Sequence, residues 1–210
     1  MRYVVGRNIS ELDSDKLRRR VAPYRHVILD VGTGGGTALL RRARRAPDVY
    51  FIGIDAAAER MREASHRGAR LIERGGTPNA SFIAAGAEEL PGGLANIGDE
   101  VSVVLPWGSL LQGVLAADEV MVSRLAGLLR DGGRLELLLS VIESDTAVDS
   151  PPLDESRARG LAADYERFGL TTEEVRLAED ADIDRLGSSW GRRLGIPGHR
   201  PGWILRFRGR

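Results

Sequence analysis

The chain has 210 residues, 42% hydrophobic and 29% charged, with a formal net charge of zero, which fits one globular domain able to bury a core. It has no cysteine, and His26, His66 and His199 lie far apart, so disulfides, thiolate metal sites, cysteine nucleophiles and locally spaced metal ligands are excluded. No apolar run approaches the roughly 20 residues of a membrane span, and the opening RYVVGRNIS is too polar for a signal peptide; a cytoplasmic monomer is expected.

The opening segment predicts a small strand pair, and residues 1–20 together an N-terminal hairpin and helix extension. HVILDVGTGGG is an apolar, β-rich run ending in glycines at Gly36, and TALLRRARRA has helical spacing of Ala38, Leu39 and Ala43. VYFIGID, ending at Asp55, is a second strand. AAERMREASHRGARLIERGG reads as a helix stopped at Gly75 and Gly76. ASFIAAGAEEL supplies a third strand and a loop, and EVSVVLPW a fourth. DEVMVSRLAGLLRDGG reads as a helix with a glycine stop, followed by the strand RLELLLSVI. The acidic loop 143–153 contains Pro151 and Pro152. A helix (ESRARGLAADYERFGL), a sixth strand (TTEEVRLAE) and a final strand (WILRFRG) complete the pattern, with residues 180–201 inserted between the last two strands. Alternating strands and helices require crossovers and predict an α/β fold with a mostly parallel sheet.

In such sheets ligands sit beyond the carboxyl ends of the strands. The glycine run after the first strand lets a ligand approach the backbone, and Asp55 ends the second strand, where a carboxylate can accept both hydroxyls of a ribose. Either a nicotinamide cofactor or S-adenosylmethionine satisfies that much. Asp30, ahead of the glycines in DVGTGGG, would repel a pyrophosphate but could hold the amino-acid end of S-adenosylmethionine. Ala87 and Glu88, after the third strand, stand where an adenine can be read. Acids at helix starts are also common as simple caps.

Two tryptophans stand out. Trp107 lies in the turn after the fourth strand, and Trp190 in the polar stretch GSSWGRRL. Two such indoles could sandwich a flat substrate, and base–aromatic stacking contributes about 1–3 kcal/mol per base. An enzyme that acts on a base in structured nucleic acid must take it out of the stack. Arg192 and Arg193 could hold flanking phosphates. Trp203, on an alternating strand, is assigned to packing. Nearly every base is arginine, Lys16 being the only lysine, so any nucleic-acid contact depends on where the arginines lie.

DVGTGGG, AAGAEEL, LPWGSLLQGVL and SSWGRRL together resemble the aminoglycoside-resistance methyltransferases that modify N1 of adenine 1408 in 16S ribosomal RNA, over nearly the whole chain. The resemblance implies a Rossmann-like class I methyltransferase fold, with a seven-stranded sheet and an N-terminal β-hairpin extension. It implies S-adenosylmethionine as cofactor, held by Asp30, Gly32, Thr33, Gly34, Asp55, Ala56, Ala87, Glu88 and Leu105. It places Trp107 and Trp190 on either side of a flipped adenine, in a slot as thick as one base, with Pro106, Ser109 and Ser188 shaping the pocket. The partner it implies is the 30S subunit, with Arg60, Arg62, Arg67, Arg192, Arg193 and Arg200 as candidate RNA contacts. The chain departs from the family pattern at Gly35, where an acid is usual. Two alternatives share these features: a methyltransferase of a small planar metabolite, and a weakly catalytic relative that binds the ribosome or the donor.

Overall fold

A computed structural model describes residues 1–145 and 150–210. Part of the acidic loop, residues 146–149, lies outside the described residues. In chain order the elements are β1 (Arg2–Val5), β2 (Asn8–Glu11), α1 (Ser14–Val21), β3 (His26–Val31), α2 (Thr37–Arg45), β4 (Val49–Asp55), α3 (Ala58–Gly68) and β5 (Ala80–Ala84). Next come β6 (Gly98–Val104), α4 (Gly108–Leu115), α5 (Glu119–Gly127), β7 (Leu129–Leu139), α6 (Glu155–Tyr165), β8 (Leu170–Leu177), α7 (Asp180–Leu186), α8 (Ser189–Leu194) and β9 (Trp203–Gly209).

The strands form one sheet in the order β2-β1-β5-β4-β3-β6-β7-β9-β8. Strands β5, β4, β3, β6 and β7 are parallel, and β9 inserts antiparallel between β7 and β8. The seven expected strands are present, and the N-terminal hairpin extends the same sheet by pairing Tyr3 with Ile83 of β5. The order reverses at β3, with β4 on one side and β6 on the other. That switch point is where an open parallel sheet leaves a crevice.

Side-chain alternation splits the core. Leu29, Val101, Leu135 and Leu205 face one way, against apolar residues of α1, α4, α5 and α6. Ile28, Phe51 and Phe82 face the other way, under Leu39 and Leu40 of α2 and Met61 of α3. Farther along that second face, Leu138 and Ile204 meet Ile183 and Leu186 of α7. Trp203 is buried and its indole N–H donates to the Leu153 carbonyl at 2.8 Å, so its surroundings are those of a packing residue.

Two helices end earlier than the sequence pattern predicts. The apolar phase of α3 (Met61, Ala64, Ser65, Gly68) continues through Leu71 and Ile72, yet those two side chains are 64% and 68% exposed. The chain leaves the helix at Gly68, whose carbonyl accepts from Thr77 N at 2.8 Å as the chain turns toward β5. The helix has by then run roughly 16 Å, about the length of a five-residue strand, and no sheet lies beneath another turn. Similarly α5 stops at Gly127, and Leu128 and Leu129 pass into β7 instead of continuing the helix.

Candidate active site

A cleft of about 830 Å³ opens at the carboxyl ends of β3, β4, β5 and β6, a size suited to a nucleoside-sized ligand. Its floor is the glycine turn. Gly32 has φ of +77°, and a Cβ there would lie 2.6 Å from Leu110 Cδ2, so any other residue would be strained on this path. The turn is pinned to β4, because Gly32 N and Thr33 N both donate to the Ile54 carbonyl.

Asp30 is buried at the end of β3. Thr33 Oγ1 donates to one of its carboxylate oxygens at 2.7 Å and Ser102 Oγ to the other at 3.1 Å. Burial pushes the carboxyl above its ordinary pKa, against the opposing pull of Arg42 and the two hydroxyls. An ionised carboxylate offers about four acceptor sites, so capacity remains for a ligand ammonium. Asp55 accepts from Gly34 N at 2.8 Å and from Ala57 N at 2.9 Å. It therefore ties the glycine turn to the start of α3 and still keeps lone pairs for a ribose. Asp55 does not cap α3, whose N-cap is Ala57 with no side-chain cap hydrogen bond. Ala56, Ala87 and Glu88 line the same cleft, Ala87 buried and Glu88 exposed.

The position of Trp107 follows from a double bend. Leu105 has φ of +48°, a conformation that costs a non-glycine residue about 1–3 kcal/mol. It is held there by its N–H on the Leu138 carbonyl at 2.8 Å and by burial of its side chain. Gly108 follows with φ of +59°. Between the two bends Pro106 is buried, and Trp107 is thrown outward over the cleft, 50% exposed. Trp190 arrives from the other side. Ser188 caps α8 by accepting from Gly191 N at 3.0 Å, and Trp190 in the first turn is 37% exposed. Ser109 and Ser188 also line the cleft.

The two indoles meet, with ring centroids 5.9 Å apart and planes inclined at 68°. This corrects the expected open slot. A base held on both faces needs parallel rings about 7 Å apart, twice the 3.4 Å rise of stacked bases. The rings instead satisfy each other edge to face, and the Arg193 guanidinium lies 5.6 Å from the Trp190 ring centre. Edge-to-face contact contributes about 0.5–1.5 kcal/mol, an energy no larger than the about 1–3 kcal/mol given for stacking one base on an aromatic side chain.

A profile of the 16S rRNA (adenine(1408)-N(1))-methyltransferases matches residues 2–206. The chain belongs to that family. The 16S rRNA (adenine(1408)-N(1))-methyltransferase of Streptoalloteichus tenebrarius is 33% identical to it over 199 residues, 92% of each chain. Among solved structures, a tryptophan-to-alanine variant of the Catenulisporales acidiphilia enzyme of this family, with cosubstrate SAM, matches at a TM-score of 0.90 and 30% identity, covering 100% of this chain and 96% of that one. The aminoglycoside resistance methyltransferase NpmB1 matches at 0.87 and 32% identity, covering 100% and 99%. This family member is thus a methyltransferase of the Rossmann-like class I fold with S-adenosylmethionine as its cofactor. The cleft fits that group: an acid stands before the glycine turn, where a pyrophosphate site would need a neutral or basic environment.

The six arginines expected at RNA are distributed differently from one another in this methyltransferase. Arg60 is exposed on the cleft rim, beside the glycine turn. Arg62 is exposed and Arg67 partly exposed on α3. Arg192 is paired with Asp184 at 2.6 Å, both side chains about half exposed or more. Arg200 departs from the expectation. It is 8% exposed, with Nε on Ser140 Oγ at 2.7 Å and both terminal nitrogens on Asp145. It pins the start of the acidic loop and presents no free guanidinium. The buried polar residues that escaped the sequence reading include Ser102 in EVSVVL and Glu136 in RLELLL. Each interrupts a run of apolar residues, and that was the available signal.

Proposed function

We propose that this methyltransferase acts on the assembled 30S subunit, methylating N1 of adenine 1408 of its 16S rRNA after flipping that base between Trp107 and Trp190, and that the product protects its host from aminoglycosides. Bound in the cleft, S-adenosylmethionine supplies an electrophilic methyl group on sulfur. Asp30 receives the donor's ammonium, Asp55 its ribose, and Ala87 with Glu88 its adenine. Neutral adenine N1 carries an in-plane lone pair, so a bond from N1 to the methyl carbon can form as the carbon–sulfur bond breaks. No base is needed before that step. The work of the protein is alignment, which can supply about 7–11 kcal/mol when geometry is right. Arg62, Arg67, Arg192 and Arg193 contact phosphates.

The observation that carries the reading is the meeting of Trp107 and Trp190, from distant points of the chain, at the lip of the donor cleft. The test is methyl transfer from labelled S-adenosylmethionine to purified 30S subunits, with primer extension to locate the product. Trp107→Ala and Trp190→Ala should each cut transfer by about tenfold or more, with donor affinity by calorimetry within about twofold of the unaltered enzyme. Parallel loss of transfer and donor binding would refute the roles given to the indoles. Transfer to small planar molecules but not to 30S subunits would favour a metabolite methyltransferase.

A further inference from the structure

The sheet face that carries Asp30 has a row of polar residues in register across five strands: Asp30, Ser102, Glu136, Arg206 and Glu174. Beyond Ser102 the row becomes an ion lattice. Glu136 is 2% exposed. One of its oxygens accepts from Arg206 Nε at 2.8 Å and the other from Arg185 of α7. Arg206 also reaches Glu174, and Asp182 of α7 at 3.4 Å. Arg176 clamps Asp182 with two hydrogen bonds of 2.6 and 2.9 Å. Arginines 176, 185 and 206 thus balance Glu136, Glu174 and Asp182, and the two members outside the sheet, Arg185 and Asp182, both belong to α7.

Burying such a lattice gains little stability, because desolvation offsets most of the attraction. Its directional bonds do fix where α7 sits. The apolar contact under α7 comes from Ile183 and Leu186, and apolar contact alone is non-directional. From Leu186 the chain passes through Gly187, φ +64°, directly to Ser188 and Trp190. We infer that Glu136 is a positioning residue for methyl transfer: by holding Arg185 and Arg206 it sets the seat of α7, and through α7 and α8 the placement of Trp190 over the acceptor site. The inference rests on the reading of Trp190 as a wall of the adenine site.

Glu136→Gln keeps the volume and removes the charge that two arginines share. Arg185→Met removes the link from α7 at a side chain that is 40% exposed, and serves if the first variant does not fold. Both should lower kcat at saturating 30S and S-adenosylmethionine by about tenfold. Donor Kd should stay within about twofold. The circular-dichroism couplet of the Trp107–Trp190 pair should weaken, a signature that a general loss of stability would not produce below Tm. An unchanged kcat and couplet, with or without a lower Tm, would overturn the inference, as would donor affinity falling in step with kcat. Trp190→Ala run alongside separates the two levels. If that variant methylates normally, the reading of Trp190 is wrong; if it is inactive while both Glu136→Gln and Arg185→Met are fully active, the role of Glu136 alone is wrong.

Discussion

Asp30 is a buried carboxylate whose proposed partner is the ammonium of the donor. Burial raises its pKa, while Arg42, Thr33 and Ser102 oppose the rise and Glu100 adds to it. A donor ammonium favours the ionised form, so binding releases a proton from whatever fraction of Asp30 is protonated. Donor affinity should therefore increase as pH rises toward the elevated pKa, and level off above it. Ser102→Ala removes a hydrogen bond to the ionised form, which raises the pKa further. The affinity midpoint should move to higher pH, with affinity well above the midpoint reduced by only a few-fold. Calorimetry across pH checks this; coincident profiles for the two proteins would reject the role of Ser102. Asp30 and Asp55 were legible because each ends an apolar strand. The hydroxyl clamp on Asp30 was not, since Ser102 reaches Asp30 only through strand register. The edge-to-face setting of the indoles is a matter of side-chain rotation, which no residue spacing encodes.

At the scale of elements, hydrophobic period located the strands and most helices, but it overran the ends of α3 and α5. Leu71 and Ile72 continue the helical phase of α3 without a surface to cover, and phase alone cannot reveal where a sheet stops. For α7 the decisive interactions are ionic and nonlocal, linking it to β7, β8 and β9, so the sequence pattern showed only an insertion. That origin has a consequence in acid. Burial would raise the pKa of Asp182, but Arg176 chiefly, with Glu179 N and Arg185, holds it down to about 2 from an ordinary 3.8. A carboxyl whose pKa is lowered on folding stabilises the folded state above its unfolded pKa, and that contribution is lost as pH falls toward the folded value. The stability difference between the unaltered protein and Asp182→Asn should be full at neutral pH, shrink as pH drops below about 4, and be lost as pH falls through about 2. Denaturant midpoints at a series of pH values measure it. A difference that persists undiminished at the acid end would show that Asp182 acts through packing and not through its charge.

Across the whole molecule, 30 basic and 30 acidic side chains cancel, so an RNA partner meets no long-range pull from net charge. Attraction must come from local arrangement. Many arginines are already occupied in ion pairs within the fold: Arg42 with Glu100, Arg134 and Arg208 with Glu173, Arg200 with Asp145, and those around Glu136. Arginines that face solvent include Arg62 on α3 and Arg193 on α8, and also Arg7, Arg19, Arg45 and Arg74 outside those helices. Because α3 begins at the cleft rim and runs roughly 16 Å away from it, the phosphate contacts proposed for Arg62 and Arg67 would extend the footprint well beyond the indoles. The Arg192–Asp184 pair is surface-exposed and of a kind worth about 0–1 kcal/mol, little enough for a phosphate to take over. Composition could not separate the occupied arginines from the free ones, because the acids that occupy them are often distant in sequence, as Asp145 is from Arg200. If few arginines contact phosphates, 30S affinity should fall with salt along a shallow line on logarithmic axes. Each of Arg62→Ala and Arg67→Ala should lower that slope by about one, while donor affinity stays insensitive to salt. Slopes unchanged in both variants would move the RNA footprint off α3.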